Sequence, residues 1–344
     1  MLSRVANCLY WMSRYIERAE NTARIVDVNL QLLLDFRDLD DERIAHHWMP
    51  IVQSAGEEDS FLKFYPKATG AAVTEFLVFQ ESNPNSIVSS IFQARENARM
   101  VRDQITMEYW EELNRVYLFV RSPEARRVWQ ASPSDFFQHI KASSLHLLGL
   151  SYATILHNEG WWFMQAGKFI ERTDKITRIL DVRHNSLPER GLPQIVNPAE
   201  TLEWSAVLRS CSGWDAYKWI YGAEVNPRFV ADFLLLNEDF PRSVRFCAEE
   251  FNVALRKISG VAPSRFSNEA EKLAGRLVAE LQFSSIDEIF DSGLHKYLDT
   301  LQAKLNAIGS ALFQTYIFHP FSNLDSENLV QQEEQQQQSG LRVP

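Results

Sequence analysis

Two Glu-Arg pairs, Glu17-Arg18 and Glu171-Arg172, carry the charges best suited to chemistry in this chain. At about 100° per helical residue, Glu17, Asn21 and Arg24 share one face, and Glu171, Lys175 and Arg178 share another. A second group lies downstream. Arg95, Arg99 and Arg102 stand at i, i+4 and i+7, continuing a stripe begun by Val88, Ile91 and Phe92, with Glu96 beside them. Arg242 and Arg245 repeat part of that pattern. Guanidinium forks bind carboxylate and phosphate bidentately, so one reading is a site for an anion, with Glu17 or Glu171 as a candidate general base. The other is a partly buried network that ties helices together, because buried charges must be paired. Replacing Arg99 by Ala tells them apart, through activity lost at constant melting temperature or a collapse of that temperature.

Other chemistries find little support. A di-iron bundle site needs Glu-x-x-His on two helices, and the chain has none, so no metal is expected. GxGxxG, GxxxxGK[ST] and GxSxG are all missing, so no cofactor is expected. Cys8, Cys211 and Cys247 form no CxxC, which disfavours disulfides and structural zinc and suits a reducing, cytoplasmic setting.

Long helices must position these charges. Val5, Leu9, Met12, Ile16, Ala19, Ala23, Val26, Leu30 and Leu33 step by 4 and 3 along one continuous seam. Helices are expected over 43–55, 70–80, 86–120, 133–157, 161–183, 200–211 and 287–318, with another opening at Asn226-Pro227 and kinked at Pro241. No strand series is evident, and Gly and Pro number only 13 each, too few for a sandwich or barrel. The fold class is all-α, a helical bundle.

The chain also echoes itself. Seven of fourteen positions in 15–28 recur in 169–182. Weaker echoes follow in order: Trp48 with Trp204, then Asn83-Pro84 and Arg99 with Asn226-Pro227 and Arg242. Two pseudo-repeated halves packed as one unit are expected, 1–145 and 146–321, followed by a disordered Gln-rich tail at 322–344. Formal charge is −10, unlike a nucleic-acid binder. Arg4, Arg14, Glu17 and Arg18 interrupt any signal-peptide core, and no apolar run is long enough to span a membrane.

The N-terminal run Leu2-Ser3-Arg4-Val5-Ala6 through Arg14-Tyr15 and Glu17 to Arg24 resembles the start of the bacterial Alpha-E family. Arg95 to Arg102, Glu108 to Asn114, Phe169 to Val182, Leu208 to Ser210 and Phe233 to Cys247 are similar to its later blocks, so the resemblance spans about 1–318. Thr173-Asp174-Lys175 departs from the Arg-Ala pair expected after the second Glu-Arg. The resemblance implies an all-helical domain usually encoded beside, or fused to, an ATP-grasp ligase and a transglutaminase-like peptidase. It implies a pathway that makes or modifies peptide or amide bonds. An accessory protein holding an anionic peptide or acyl intermediate, an enzyme acting on that peptide, and a non-catalytic scaffold all fit.

Overall fold

The computed structural model describes residues 1–35, 41–185, 198–262 and 265–317. The expected tail, 322–344, lies outside them, as does most of the expected loop at 187–199. Sixteen α-helices and no strands occur among the described residues. The first eight are α1 (Ser3–Asp35), α2 (Asp41–Ala55), α3 (Glu58–Leu62), α4 (Gly70–Thr74), α5 (Ile87–Met100), α6 (Met107–Arg121), α7 (Pro123–Ala131) and α8 (Pro133–Thr154). After a short connection come α9 (Glu159–Asn185), α10 (Pro198–Ser210), α11 (Trp214–Tyr221), α12 (Pro227–Leu236), α13 (Val244–Ser259), α14 (Glu269–Phe283), α15 (Ile286–Ser292) and α16 (Leu294–Tyr316). No helix among the described residues is long and apolar enough to cross a membrane.

Three expected helices are broken, each by a local signal. The segment 86–120 divides at Val101, and Thr106 starts α6 by accepting a hydrogen bond from the Tyr109 amide. Pro241 does not kink a helix. It lies between α12 and α13, and Ser243 caps the latter through the Phe246 amide. Gly293 takes φ +95°, a backbone state that L side chains avoid, and so separates α15 from α16.

The long, seam-bearing helices α1 and α9 pack on each other at the centre. α5 and α8 cover α1, and α13 and α16 cover α9. α6 bridges α5 and α8, as α14 bridges α13 and α16. Two short helices cross over: α2 packs on α9, and α10 on α1. Trp48 on α2 and Trp204 on α10 are fully buried, and neither indole N–H has a hydrogen-bond partner among the described residues. Residue 145 lies inside α8, and residues 155–158 connect α8 to α9.

The central pair touches closely. A Cβ on Gly167 would stand 2.2 Å from the Tyr10 carbonyl oxygen, so only glycine lets α9 lie this near α1.

Candidate functional site

The two Glu-Arg pairs meet where α1 crosses α9, and they exchange partners. Arg172 donates to Glu17 through Nε (2.7 Å) and Nη2 (2.8 Å). Arg18 donates to Glu171 through Nε (2.7 Å) and Nη2 (3.0 Å). Each carboxylate is thus gripped bidentately by the arginine of the other pair, the strongest geometry available to the two groups. Glu17 is 4% exposed and Glu171 1%.

Each carboxylate also takes a second guanidinium. Arg14 donates to Glu171 Oε2 at 2.8 Å. Arg242 donates to Glu17 Oε1 at 3.2 Å, to Asn21 at 3.1 Å and to Glu20 at 2.5 Å. Arg242 sits two residues before the first residue of α13. Asn85 holds the same place before α5, where it accepts from Arg18 and donates to Glu57. Arg24 pairs with Glu20 at 2.7 Å, and Arg178 with Asp174 at 2.9 Å.

These contacts determine the protonation states. Burial pushes the Glu17 carboxyl up, but the guanidiniums of Arg172 and Arg242 outweigh it and hold it down at about 2. Glu171 is likewise driven up by burial and, more strongly, down by Arg18 and Arg14. Neither is suited to take a proton at neutral pH, which argues against the general-base role. Lys168 differs. Burial and Arg172 lower its ammonium to about 7, against the pull of Glu17, Cys247 and Glu250. Its Nζ donates to Gln165 (2.5 Å) and Tyr152 (3.2 Å).

Two clefts flank this core. An open one of about 420 Å³, between α1, α9 and α16, is lined in part by Tyr10, Trp11, Arg14, Ile170 and Asp174. A much smaller one of about 40 Å³, between α1, α6, α8 and α9, is lined in part by Met164, Gln165, Lys168, Ile16 and Glu20. Each residue of the first set lies 154 positions from its counterpart in the second. The Arg14 guanidinium lies 4.6 Å from the Trp11 ring centroid at the wall of the open cleft.

The sequence-level candidates therefore divide. Glu17, Glu171, Arg18, Arg24, Arg172, Arg178 and Arg242 come together. Arg95, Glu96, Arg99 and Arg102 do not join them. Arg95 and Arg99 share Glu96, Arg95 and Arg102 rest on the Trp110 ring, and Arg99 is largely exposed. Arg245 pairs with Glu238 and Glu249. Arg14 and Lys168 were missed as site residues, although both precede a Glu-Arg pair by three positions.

Asp181, His295 and Asp299 cluster at the surface. Lys141 pairs with Asp27 at 2.7 Å, 154 positions earlier, where His295 meets Asp181 at 2.5 Å. The hydrogen bond to Asp181 raises the His295 pKa, so the cluster reads as a second ion pair of the same kind.

An all-α bundle built around an exchanged pair of Glu-Arg motifs is the class of protein these features define. The chain belongs to the Alpha-E family: residues 1–317 match the family described as a predicted alpha-helical domain with a conserved ER motif. It is 25% identical over 325 residues to an uncharacterized protein of Mycobacterium bovis, covering 88% of this chain and 35% of that one. An uncharacterized protein of Mycobacterium tuberculosis matches with the same identity and coverage. The chain thus spans about a third of the length of these curated relatives. No solved structure matches it.

Proposed function

We propose that this chain is an accessory protein of a bacterial pathway that makes or modifies peptide or amide bonds, binding an anionic peptide or acyl ligand and partnering an ATP-grasp ligase. In this reading the Glu-Arg exchange is a clasp. It joins two duplicated halves, divided at the α8–α9 connection, and holds the clefts open beside it. The reciprocal packing of the helices and the 154-residue spacing of both clefts support the duplication.

One observation carries the ligand. Arg14 uses three of its five N–H donors on Glu171 and Tyr10, and its side chain also lines the open cleft. A carboxylate entering there meets a fixed guanidinium, with Trp11 and Phe313 to cover an apolar neighbour. Partnership with the ligase rests on the family resemblance. A transglutaminase-like peptidase is implied in the same way. The greater length of the relatives fits a unit that works beside another.

Calorimetric titration with short glutamate-containing peptides tests the ligand. Arg14→Gln should weaken binding about tenfold or more. Absence of binding by any carboxylate peptide would overturn it. Co-purification with the ATP-grasp ligase, and its failure, decide the partnership separately.

A further inference from the structure

The open cleft is walled by α16 further than the smaller one is walled by α8. Thr154 ends α8 at the position that matches Ile308, whereas α16 runs on to Tyr316, about two turns more. Those turns put Gly309, Ser310, Phe313 and Gln314 into the wall. From Leu305 to Gln314 the lining part of α16 rises about 14 Å, the length of about four extended residues. Asn306, Ser310 and Gln314 stand one turn apart along it, and all three are exposed. Side-chain amides and a hydroxyl both donate and accept, as the alternating groups of an extended peptide backbone require.

The charges in this cleft are of both signs. Arg14 and Asp174 line it and are not ion-paired with each other. Arg14 binds Glu171, three residues from Asp174 on α9, so the two charges stand close together. Asp174 holds the place that Glu20 holds beside the smaller cleft. The Glu20 side chain is 4% exposed and takes guanidiniums from both Arg24 and Arg242. The Asp174 side chain is 15% exposed and takes one, from Arg178 to Oδ2 at 2.9 Å, which leaves Oδ1 without a hydrogen-bond partner among the described residues. A simple anion entering here meets a carboxylate as well as an arginine, whereas a ligand carrying both charges pairs with each.

We propose that the open cleft takes an unblocked peptide laid extended along α16, with its amino-terminal ammonium at Asp174, the side-chain carboxylate of its first residue at Arg14, and its backbone against Asn306, Ser310 and Gln314. This rests on the reading of the cleft as a carboxylate site and narrows it, from peptides and acyl compounds to peptides with a free amino terminus and an acidic first residue.

The test is calorimetric titration of the full chain with the amidated tetrapeptide glutamyl-trialanine, with its N-acetylated form and with free glutamate. The free tetrapeptide should bind about tenfold or more tighter than the acetylated one, and Asp174→Asn should bring the two within about twofold. Should that variant not fold, the two peptides on the unaltered chain decide. Acetylated peptide binding as tightly as the free one would overturn the proposal and leave the carboxylate site standing. No binding by either would overturn both. Gln314→Ala should weaken the free tetrapeptide about fivefold and leave glutamate unchanged. Glutamate binding as tightly as the tetrapeptide would overturn the extended placement.

Discussion

The surroundings of Glu17 and Glu171 are the same design executed twice with different parts. Both carboxylates are gripped by an arginine from the other Glu-Arg pair, and both receive a second guanidinium. At Glu171 the second comes from α1 itself, one turn before Arg18. At Glu17 it comes from the loop before α13, and Lys168 stands at the position that matches Arg14. The difference separates two jobs. Arg14 serves the carboxylate and lines an open cleft together. On the other side Arg242 takes over the carboxylate, and Lys168 is left lightly held in a tight one. Pairing is the same at both places, while the cation facing each cleft differs.

Removing either carboxylate should break the comparison most severely. Glu17→Ala and Glu171→Ala each strand buried guanidiniums, at a cost of about 3–5 kcal/mol. Glu17→Ala should be the worse of the two, because the Arg172 side chain is 6% exposed against 13% for Arg18. Urea unfolding of both variants measures the order, and equal midpoints would refute it. Next is Gly167→Ala, which drives a Cβ into the Tyr10 carbonyl. Overpacking of this kind costs about 1–3 kcal/mol, visible as a lowered melting temperature.

Acid and base should act on different members. Glu17 has a lowered pKa, so its contribution is complete above about 4.5 and is lost as pH falls toward about 2. Lys168 is also lowered, from 10.5 to about 7, which gives a slope of the same sign in a higher pH window, here because the fold disfavours the charged form. The unfolded chain binds its proton more readily, so stability rises with pH between those values. Lys168→Met should flatten that rise in melts compared at pH 7 and pH 10, and an unchanged slope would disprove it. Arg99→Ala should do least, within about 0.5 kcal/mol, since the side chain is 57% exposed and, among the described residues, pairs only with Glu96.

The central helices were legible in the sequence because their seams run uninterrupted, as from Val5 to Leu33. The breaks were not. Thr106 and Gly293 act through one hydrogen bond or one φ angle, signals that periodicity averages away. The Glu-Arg pairs were legible because they recur. Matching 15–28 to 169–182 stopped one residue short of Arg14 and Lys168, and one more position in that alignment would have paired them. The echo of Arg99 with Arg242 misled for the converse reason. Arg99 lies in the last turn of α5, whereas Arg242 precedes α13. Phe76-Leu77 with Pro84 and Ser86, set against Phe233-Leu234 with Pro241 and Ser243, keeps both helix starts in step.

The exchanged clasp also carries a cost in time. Glu17 finds Arg172 only across 155 residues of chain. A ribosome adding about 5–20 residues per second reaches that partner roughly 8–30 s after making Glu17. Until then Glu17, Arg14 and Arg18 all lack the ion-pair partners of the folded chain, which are Arg172 and Arg242 for the carboxylate and Glu171 for the two guanidiniums. The clasp can therefore close only late in synthesis, after α9 and the residues that lead into α13 have been made.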